Sequence, residues 1–308
     1  NAPITHSNVT KADLVLRNLG QDLPYLLNDL PSVVATSDAG AGIGYTGLRI
    51  RGVSAQSTNI TINGIPYNDA ESLSTYWVNL PDFSSSVEQL QVQRGVGTST
   101  LGAGAFGASI AIQTEDATEG AFAEMSHSVG SFNTFKHTLK FSTGLINDRL
   151  SFSGRASKII SDGYIDRASS DLKSYFVQGT YQTDQSLLKA IAFGGQERTY
   201  QAWYGIDPDT YAASPTFNYA GIYSDADGNI QFYEDQVDNY QQDHHQLHWQ
   251  KRWSSLWSTQ VSLNYTHGKG YYEEFREDDV LTNYALSSSL TNTSDVVRRR
   301  WLDNDFYV

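Results

Sequence analysis

Leu48-Arg49-Ile50-Arg51-Gly52, Thr61-Ile62-Asn63-Gly64-Ile65-Pro66, Val87-Glu88-Gln89-Leu90-Gln91-Val92-Gln93-Arg94-Gly95 and the glycine-rich run Gly102 to Ile112 decide the fold of this chain. Three short apolar strands each end at a glycine: Ile50 before Gly52, Ile60 and Ile62 before Gly64, Leu90 and Val92 before Gly95. Glycine at such ends suits tight turns that need positive φ or close backbone approach. The pattern predicts a small mixed sheet with three long apical loops, Val53 to Asn59, Pro66 to Trp77 and Val96 to Gly107.

Upstream, Val9 to Val33 reads as a small helical or mixed region. Asn18 to Leu30 carries apolar residues at helical spacing, with Asp22 as a cap and Pro24 near the first turn. Gly40-Ala41-Gly42-Ile43-Gly44 invites a phosphate-cradle reading. No strand leads into it and no helix or lysine follows, which favours a plain loop.

Downstream, from about Glu119, the period changes to two. Leu150, Phe152, Gly154 and Ala156 alternate with Ser151, Ser153, Arg155 and Ser157. Phe135, Leu139, Phe141 and Leu145 alternate with Lys136, Thr138, Lys140 and Ser142, and Trp257 to Tyr265 repeats the pattern. One face is apolar and the other polar. In a soluble sandwich the apolar face meets another sheet; in a membrane barrel it meets lipid, and the polar face lines the lumen.

The connections decide between these. Strands are expected near 121–129, 134–145, 149–161, 174–183, 187–200, 243–253, 257–270 and 298–308. Tight joins at Asn147-Asp148, Asp184-Gln185-Ser186 and Ser254-Ser255-Leu256 alternate with long ones at 162–173, 201–242 and 271–297. That alternation fits a barrel with short turns at one end and long loops at the other. Tyr181, Trp253 and Trp257 sit beside the short turns, where an interfacial aromatic girdle belongs.

Composition agrees. The 308 residues are 39% hydrophobic and only 18% charged, with net charge -13 and no cysteine. Thiolate metal sites and disulfides are therefore excluded. The sole basic cluster is Arg298-Arg299-Arg300, so the footprint of a nucleic-acid partner is absent. No stretch approaches a membrane helix and no signal peptide precedes Asn1. The opening at Asn1 without Met reads as a mature or trimmed start.

The order of segments resembles the plug domain of TonB-dependent outer-membrane receptors. That family's run is roughly I-R-G, D-G-x-P, I-E-x-I-E-V-x-R-G and Y-G-x-x-A-x-G-G-x-I-N-I. Ile50 to Gly52 match the first piece, Val87 to Gly95 the third and Ala105 to Ile112 the fourth. Asn63 stands where Asp is usual, Leu101-Gly102 where Tyr-Gly is usual, and Ala111 where Asn is usual.

The resemblance implies a β membrane fold: a mixed α+β plug over residues 1–117, then over 118–308 the first ~8 antiparallel strands of a large transmembrane barrel. A plugged transporter barrel has ~22 strands, so the barrel is incomplete in this chain. The implied function is import across the outer membrane of a Gram-negative bacterium, energised by the TonB–ExbB–ExbD complex, with outer-membrane lipids and a possible surface lipoprotein as further partners. Gln201 to Gly205 and Gln236 to Gln242 flank the long loop in the manner of iron-complex receptors, which makes a ferric siderophore or similar iron complex the expected ligand. The V-L-K-D-A-S-A run of glycan importers is replaced by Val92-Gln93-Arg94-Gly95. An oligosaccharide or peptide importer of the same fold is the alternative, and a soluble β-rich glycan-binding module the alternative of a different class.

No catalytic constellation or cofactor site stands out. His244, Gln246 and His248 share a strand face, but no carboxylate completes a metal shell, and a polar lumen wall is the favoured reading. Asp225-Ala226-Asp227-Gly228-Asn229 resembles the start of a calcium loop but lacks the terminal Glu, so a turn is expected. A sheet inside a polar lumen needs charge-paired contacts to the wall. The resemblance assigns that plug–barrel lock to Arg51 and Arg94, with Arg49 beside them; an intraplug structural role is the alternative. Ligand contacts are expected from loop aromatics and amides: Gln56, Tyr67, Asn68, Tyr76 and Trp77 in the plug, Trp203, Tyr204 and Tyr211 in the wall. Tyr76 and Trp77 packing under their own loop is the bland alternative.

Overall fold

The computed structural model describes residues 5–95 and 106–307. Most of the third apical loop, together with Leu101-Gly102, lies outside the described residues.

The first part of the chain holds β1 (His6–Thr10), α1 (Lys11–Arg17), α2 (Leu23–Leu26), β2 (Val33–Ser37), β3 (Thr46–Ile50), β4 (Thr58–Ile62), β5 (Ile65–Pro66), β6 (Val87–Arg94) and β7 (Ala108–Thr114). Five of these strands form a mixed sheet in the order β1-β6-β7-β4-β5, with β4 and β7 parallel. The expected strand ending at Gly52 is real but pairs with β2 in a separate hairpin. All three strand-ending glycines have positive φ: 75° at Gly52, 82° at Gly64 and 98° at Gly95. Asn63 also has positive φ, 55°, so Asn63-Gly64 is a tight turn of the kind this dipeptide favours.

Helix α1 starts from a capping box. Thr10 and Asp13 satisfy each other's backbone amides. Asp22 stands at the N-cap of α2, and Pro24 is in its first turn as expected. Its side chain makes no capping bond; it accepts instead from the Thr46 hydroxyl at 2.9 Å. The Gly40–Gly44 loop packs on Tyr25 and Tyr164, as a plain loop would.

The second part is an eight-stranded antiparallel sheet. It comprises β8 (Phe122–Gly130), β9 (Thr134–Ser142), β10 (Leu150–Ser161), β11 (Ser170–Thr183), β12 (Ser186–Tyr200), then β15 (Val237–Arg252), β16 (Ser258–Val280) and β17 (Thr293–Tyr307). Between β12 and β15 the long loop holds α3 (Pro208–Ala213) and the small hairpin β13 (Ile222–Ser224) and β14 (Ile230–Phe232). The strands pair in sequence order, and the sheet is not closed, since β8 and β17 are its two edges.

The two faces sort as the alternation predicts. Phe141, Phe152, Val177, Leu247 and Leu263 are exposed on one face. Lys136, Thr138, Ser151, Arg155 and Ser157 are buried on the other, against the plug. Tyr181, Trp253 and Trp257 are exposed at the short turns. The inner face is not polar throughout. Phe176, Ile191 and Phe193 join the plug core of Leu14, Leu27, Ile50, Ile60, Leu90, Ile110 and Ile112. Phe83 of the plug meets Phe193 with ring centroids 5.2 Å apart. One apolar core thus spans the boundary between plug and wall, which favours a fixed seating over a loosely held plug.

Strands β15, β16 and β17 run further than expected toward the end with long connections. Their extensions are held by ion pairs, Glu274 with Arg298 and Glu273 with Arg299. Past the apolar band the strands no longer alternate apolar with polar, so the period-two signal stops while the pairing continues.

Candidate functional site

Plug and wall are joined at three levels. Deepest in the boundary, Asp82 is enclosed by β9 and β10. Lys136 Nζ lies 2.7 Å from Asp82 Oδ1, and Arg155 Nη1 3.3 Å from Oδ2. Thr138 and Ser157 donate to Oδ2 at 2.8 and 2.5 Å. Asp82 has φ 52°, a costly conformation for a residue with a side chain. Arg155 also donates to the Asp82 carbonyl at 2.7 Å and to Ser86 Oγ at 2.8 Å, which holds the turn in place.

Near the short turns, Glu115 pairs with Lys140 and with Lys11 at 2.7 Å each, and Asp116 with Lys189 at 3.2 Å. At mid-height, Asn63 Nδ2 donates to Gln246 Oε1 at 3.0 Å, while Asn63 Oδ1 accepts from the Thr114 amide and hydroxyl. The Asn in place of the usual Asp supplies this donor, which a carboxylate could not.

The three expected lock arginines are placed as follows. Arg94 donates to Ser7 Oγ at 2.8 Å, inside the plug. Arg49 and Arg51 are exposed. Among the described residues none of the three reaches a wall carboxylate. Among the described residues the plug–wall ion pairs have their acids on the plug and their bases on the wall. Inward-facing Lys136 and Arg155 were the available signal, because a buried base on a lumen strand demands an acid opposite.

Toward the long connections, plug and wall part to leave a cavity of about 740 Å³. Tyr67 and Tyr76 come from the second apical loop, Trp203 and Tyr204 from the segment after β12. These four of the eight expected contact residues are brought together. Trp77 is buried in the plug core. Asn68 is spent on its own loop, accepting from the Ile60 amide and donating to the carbonyls of Thr58 and Leu73. Gln56 and Tyr211 are exposed outside the cavity.

Sequence reasoning missed the rest of the lining. Tyr45, Tyr240 and Tyr272 add rings; Asp69, Glu71, Glu197, Asp238 and Glu274 add carboxylates; Arg276 and Arg298 add the bases. Tyr45 meets Trp203 edge-on at 5.4 Å. Its hydroxyl donates to Asp238 Oδ2 at 2.5 Å and lies 3.4 Å from Glu197 Oε1. Burial first, and the charges of Glu197 and Asp238 next, push the Tyr45 phenol well above its ordinary range, so it remains a donor.

The other motifs stay structural. His244 bonds Thr266, and His248 bonds Ser262 and Gln246. Among the described residues no three His, Asp or Glu converge to hold a metal ion. Asp225 accepts the amides of Asp227 and Asn229 in a closed turn.

A plug seated against an antiparallel wall, with a loop-lined cavity above it, defines a plug-and-barrel fold. Residues 1–109 match the family model described as the TonB-dependent Receptor Plug Domain. That match covers the plug segment, and the chain as a whole has the fold of a plug followed by antiparallel strands of a barrel wall. No curated protein matches the sequence. Among solved structures, the ferric-catecholate import receptor Fiu from E. coli K12 is similar over 100% of this chain and 45% of its own, at TM-score 0.69 and 14% identity. FpvA of P. aeruginosa, bound to heterologous pyoverdines, is similar over 97% of this chain and 38% of its own, at TM-score 0.68 and 13% identity. The siderophore receptor PirA from Acinetobacter baumannii is similar over 98% of this chain and 44% of its own, at TM-score 0.64 and 17% identity. The chain spans less than half the length of each.

Proposed function

We propose that this chain, plug over 1–117 and wall from 118, is part of an outer-membrane receptor that binds a ferric siderophore or similar iron complex and imports it to the periplasm with energy from the TonB complex. The observation that carries the reading is the cavity between the second apical loop and the wall, where Tyr67, Tyr76, Trp203 and Tyr204 converge. Rings presented on loops over a rigid scaffold suit stacking on a chelate. Eight of the twenty lining residues belong to the plug, so a bound ligand touches the element that must move for passage. The apolar outer face with Tyr181, Trp253 and Trp257 near the short turns supports a bilayer setting. The similar solved structures include a ferric-catecholate import receptor and a siderophore receptor, which supports iron over other cargo. The reading is a transporter, not a catalyst.

The test is to purify the intact receptor in mild detergent from its own membrane and analyse it for metal and bound small molecules by mass spectrometry. Iron with an organic chelate is the expected result. An iron-free oligosaccharide or peptide in the cavity would overturn the cargo and keep the fold.

A further inference from the structure

The charge balance of the cavity points past "iron complex" to a narrower class. Its two bases are already committed. Arg276 Nη2 lies 3.2 Å from Glu274 Oε2, and Arg298 pairs closely with the same carboxylate. The other four acids, Asp69, Glu71, Glu197 and Asp238, have no basic partner among the described residues. Glu197 is 1% exposed, so solvent offers it no counter-charge. Glu197 and Asp238, on neighbouring strands, share the single hydroxyl proton of Tyr45. The Thr199 hydroxyl also donates to Glu197 Oε2 at 3.1 Å, but two close carboxylates with only neutral donors and no cation form an incomplete arrangement, because a buried carboxylate is costly without a counter-charge.

The rings add to the same sign. Tyr45, Tyr67, Tyr76, Trp203, Tyr204 and Tyr240 surround this acidic wall, and aromatic faces attract cations. Beneath Tyr67 the space continues into a second chamber of about 370 Å³ that shares Tyr67, Asp69, Glu71, Gln242 and Asn304 with the first. There Asn264 Oδ1 and His244 Nε2 have no hydrogen-bond partner, and their residues are 7% and 4% exposed. Asn264 Oδ1 is an acceptor lacking a donor. A group that brings N–H donors and positive charge answers both halves of the cavity.

We propose that the cargo carries a cationic N–H-bearing arm, an ammonium or guanidinium, that docks on Glu197 and Asp238 among these rings. This rests on the iron-complex reading and narrows it. A strongly anionic chelate meets like charge on this wall. A cationic arm also takes over the carboxylates that hold Tyr45, and Tyr45 sits just before β3 in the plug. Arrival of the arm therefore changes a plug–wall contact directly.

The test uses three probes on the intact receptor in detergent, by titration calorimetry. The first is a ferric trihydroxamate with a pendant ammonium, the second its N-acetylated neutral twin, the third a ferric tricatecholate of net charge -3. The ammonium form is expected to bind at least tenfold tighter than its twin. In Glu197→Gln and Asp238→Asn the ratio of the two affinities should fall toward one. If the variants do not fold, the wild-type ratio alone decides. Equal binding of the twins, or tighter binding of the tricatecholate, would overturn the cationic arm and leave the iron reading standing. Binding of none of the three would overturn both.

Discussion

Asp82 Oδ1 of the plug lies 2.7 Å from Lys136 Nζ of the wall, with side chains 0% and 4% exposed. Arg155 completes the cluster from the next strand. Such a cluster specifies seating more than it adds net stability, since desolvation offsets much of the attraction. Removing one partner is different, because it strands the others. Asp82→Asn leaves Lys136 and Arg155 buried without their acid and is expected to cost about 3–5 kcal/mol. Urea unfolding of the intact receptor, followed by proteolysis of the plug, measures it. A variant as stable as the wild type would mean the three groups do not meet.

The same carboxyl sets an acid limit. Burial alone would raise its pKa, but Arg155 and then Lys136, with the Ser157 hydroxyl, hold it well below the usual carboxylate range. A depressed carboxyl contributes stability that is fully present above the unfolded value, about 3.9, and is lost as pH falls through the folded one. Protease resistance of the plug should stay flat from pH 8 to about pH 5 and decline only in stronger acid. A decline that is complete by pH 6 would assign the seating to another group.

Why the sequence revealed the wall and hid this cluster is a matter of range. Alternation such as Leu150, Phe152 and Ala156 against Ser151, Arg155 and Ser157 is local, and the two faces of the wall enforce it residue by residue. Asp82 sits alone in a turn, and Arg155 reaches it across 73 residues of chain. The cavity was half legible for the same reason. Tyr67 and Trp203 lie on loops that announce themselves, whereas Glu197 and Asp238 are polar members of strands whose neighbours are equally polar. Only the Tyr45 contact distinguishes them.

Asn63 predicts a separation of two effects. Its amide bridges Gln246 and Thr114, and its backbone holds φ 55°. Asn63→Gly removes the bridge and also the Cβ that positive φ disfavours; Asn63→Ala removes the bridge and keeps that Cβ. The Ala variant should be less stable than the Gly variant by about 1–2 kcal/mol. Thermal melts of the two in detergent compare them directly, and equal melting temperatures would show that the turn relaxes.

Asp22 is a case where a natural residue is costly. Burial pushes its carboxyl well above the ordinary range, and the Thr46 hydroxyl offsets this only in part. Its Oδ1 has no partner. A raised carboxyl contributes stability that is present below the unfolded value and lost as pH rises through the folded one. Asp22→Asn should therefore gain on the wild type between pH 5 and pH 8. Parallel stability curves across that range would show that Asp22 stays charged and solvated.

Gly195 tests how tightly the plug is seated. On the inner face of β12, a Cβ added there would lie 2.5 Å from Pro81 Cδ and 2.6 Å from the Asn79 carbonyl oxygen. Both neighbours are plug backbone or ring, so neither can swing aside as a flexible side chain would. Gly195→Ala must push the segment that carries Asp82 and Phe83 away from the wall, at a cost of about 1–3 kcal/mol. The displacement should also loosen the Asp82 ion pairs and the Phe83–Phe193 contact, so the plug becomes protease-sensitive at lower urea. Gly179→Ala is the control. It faces outward, and its Cβ would meet only Phe152 ring carbons at 3.4 and 3.5 Å, ordinary contact distances. Loss of resistance in Gly195→Ala but not in Gly179→Ala is the expected pattern; equal behaviour would mean the plug and β12 do not touch at this point.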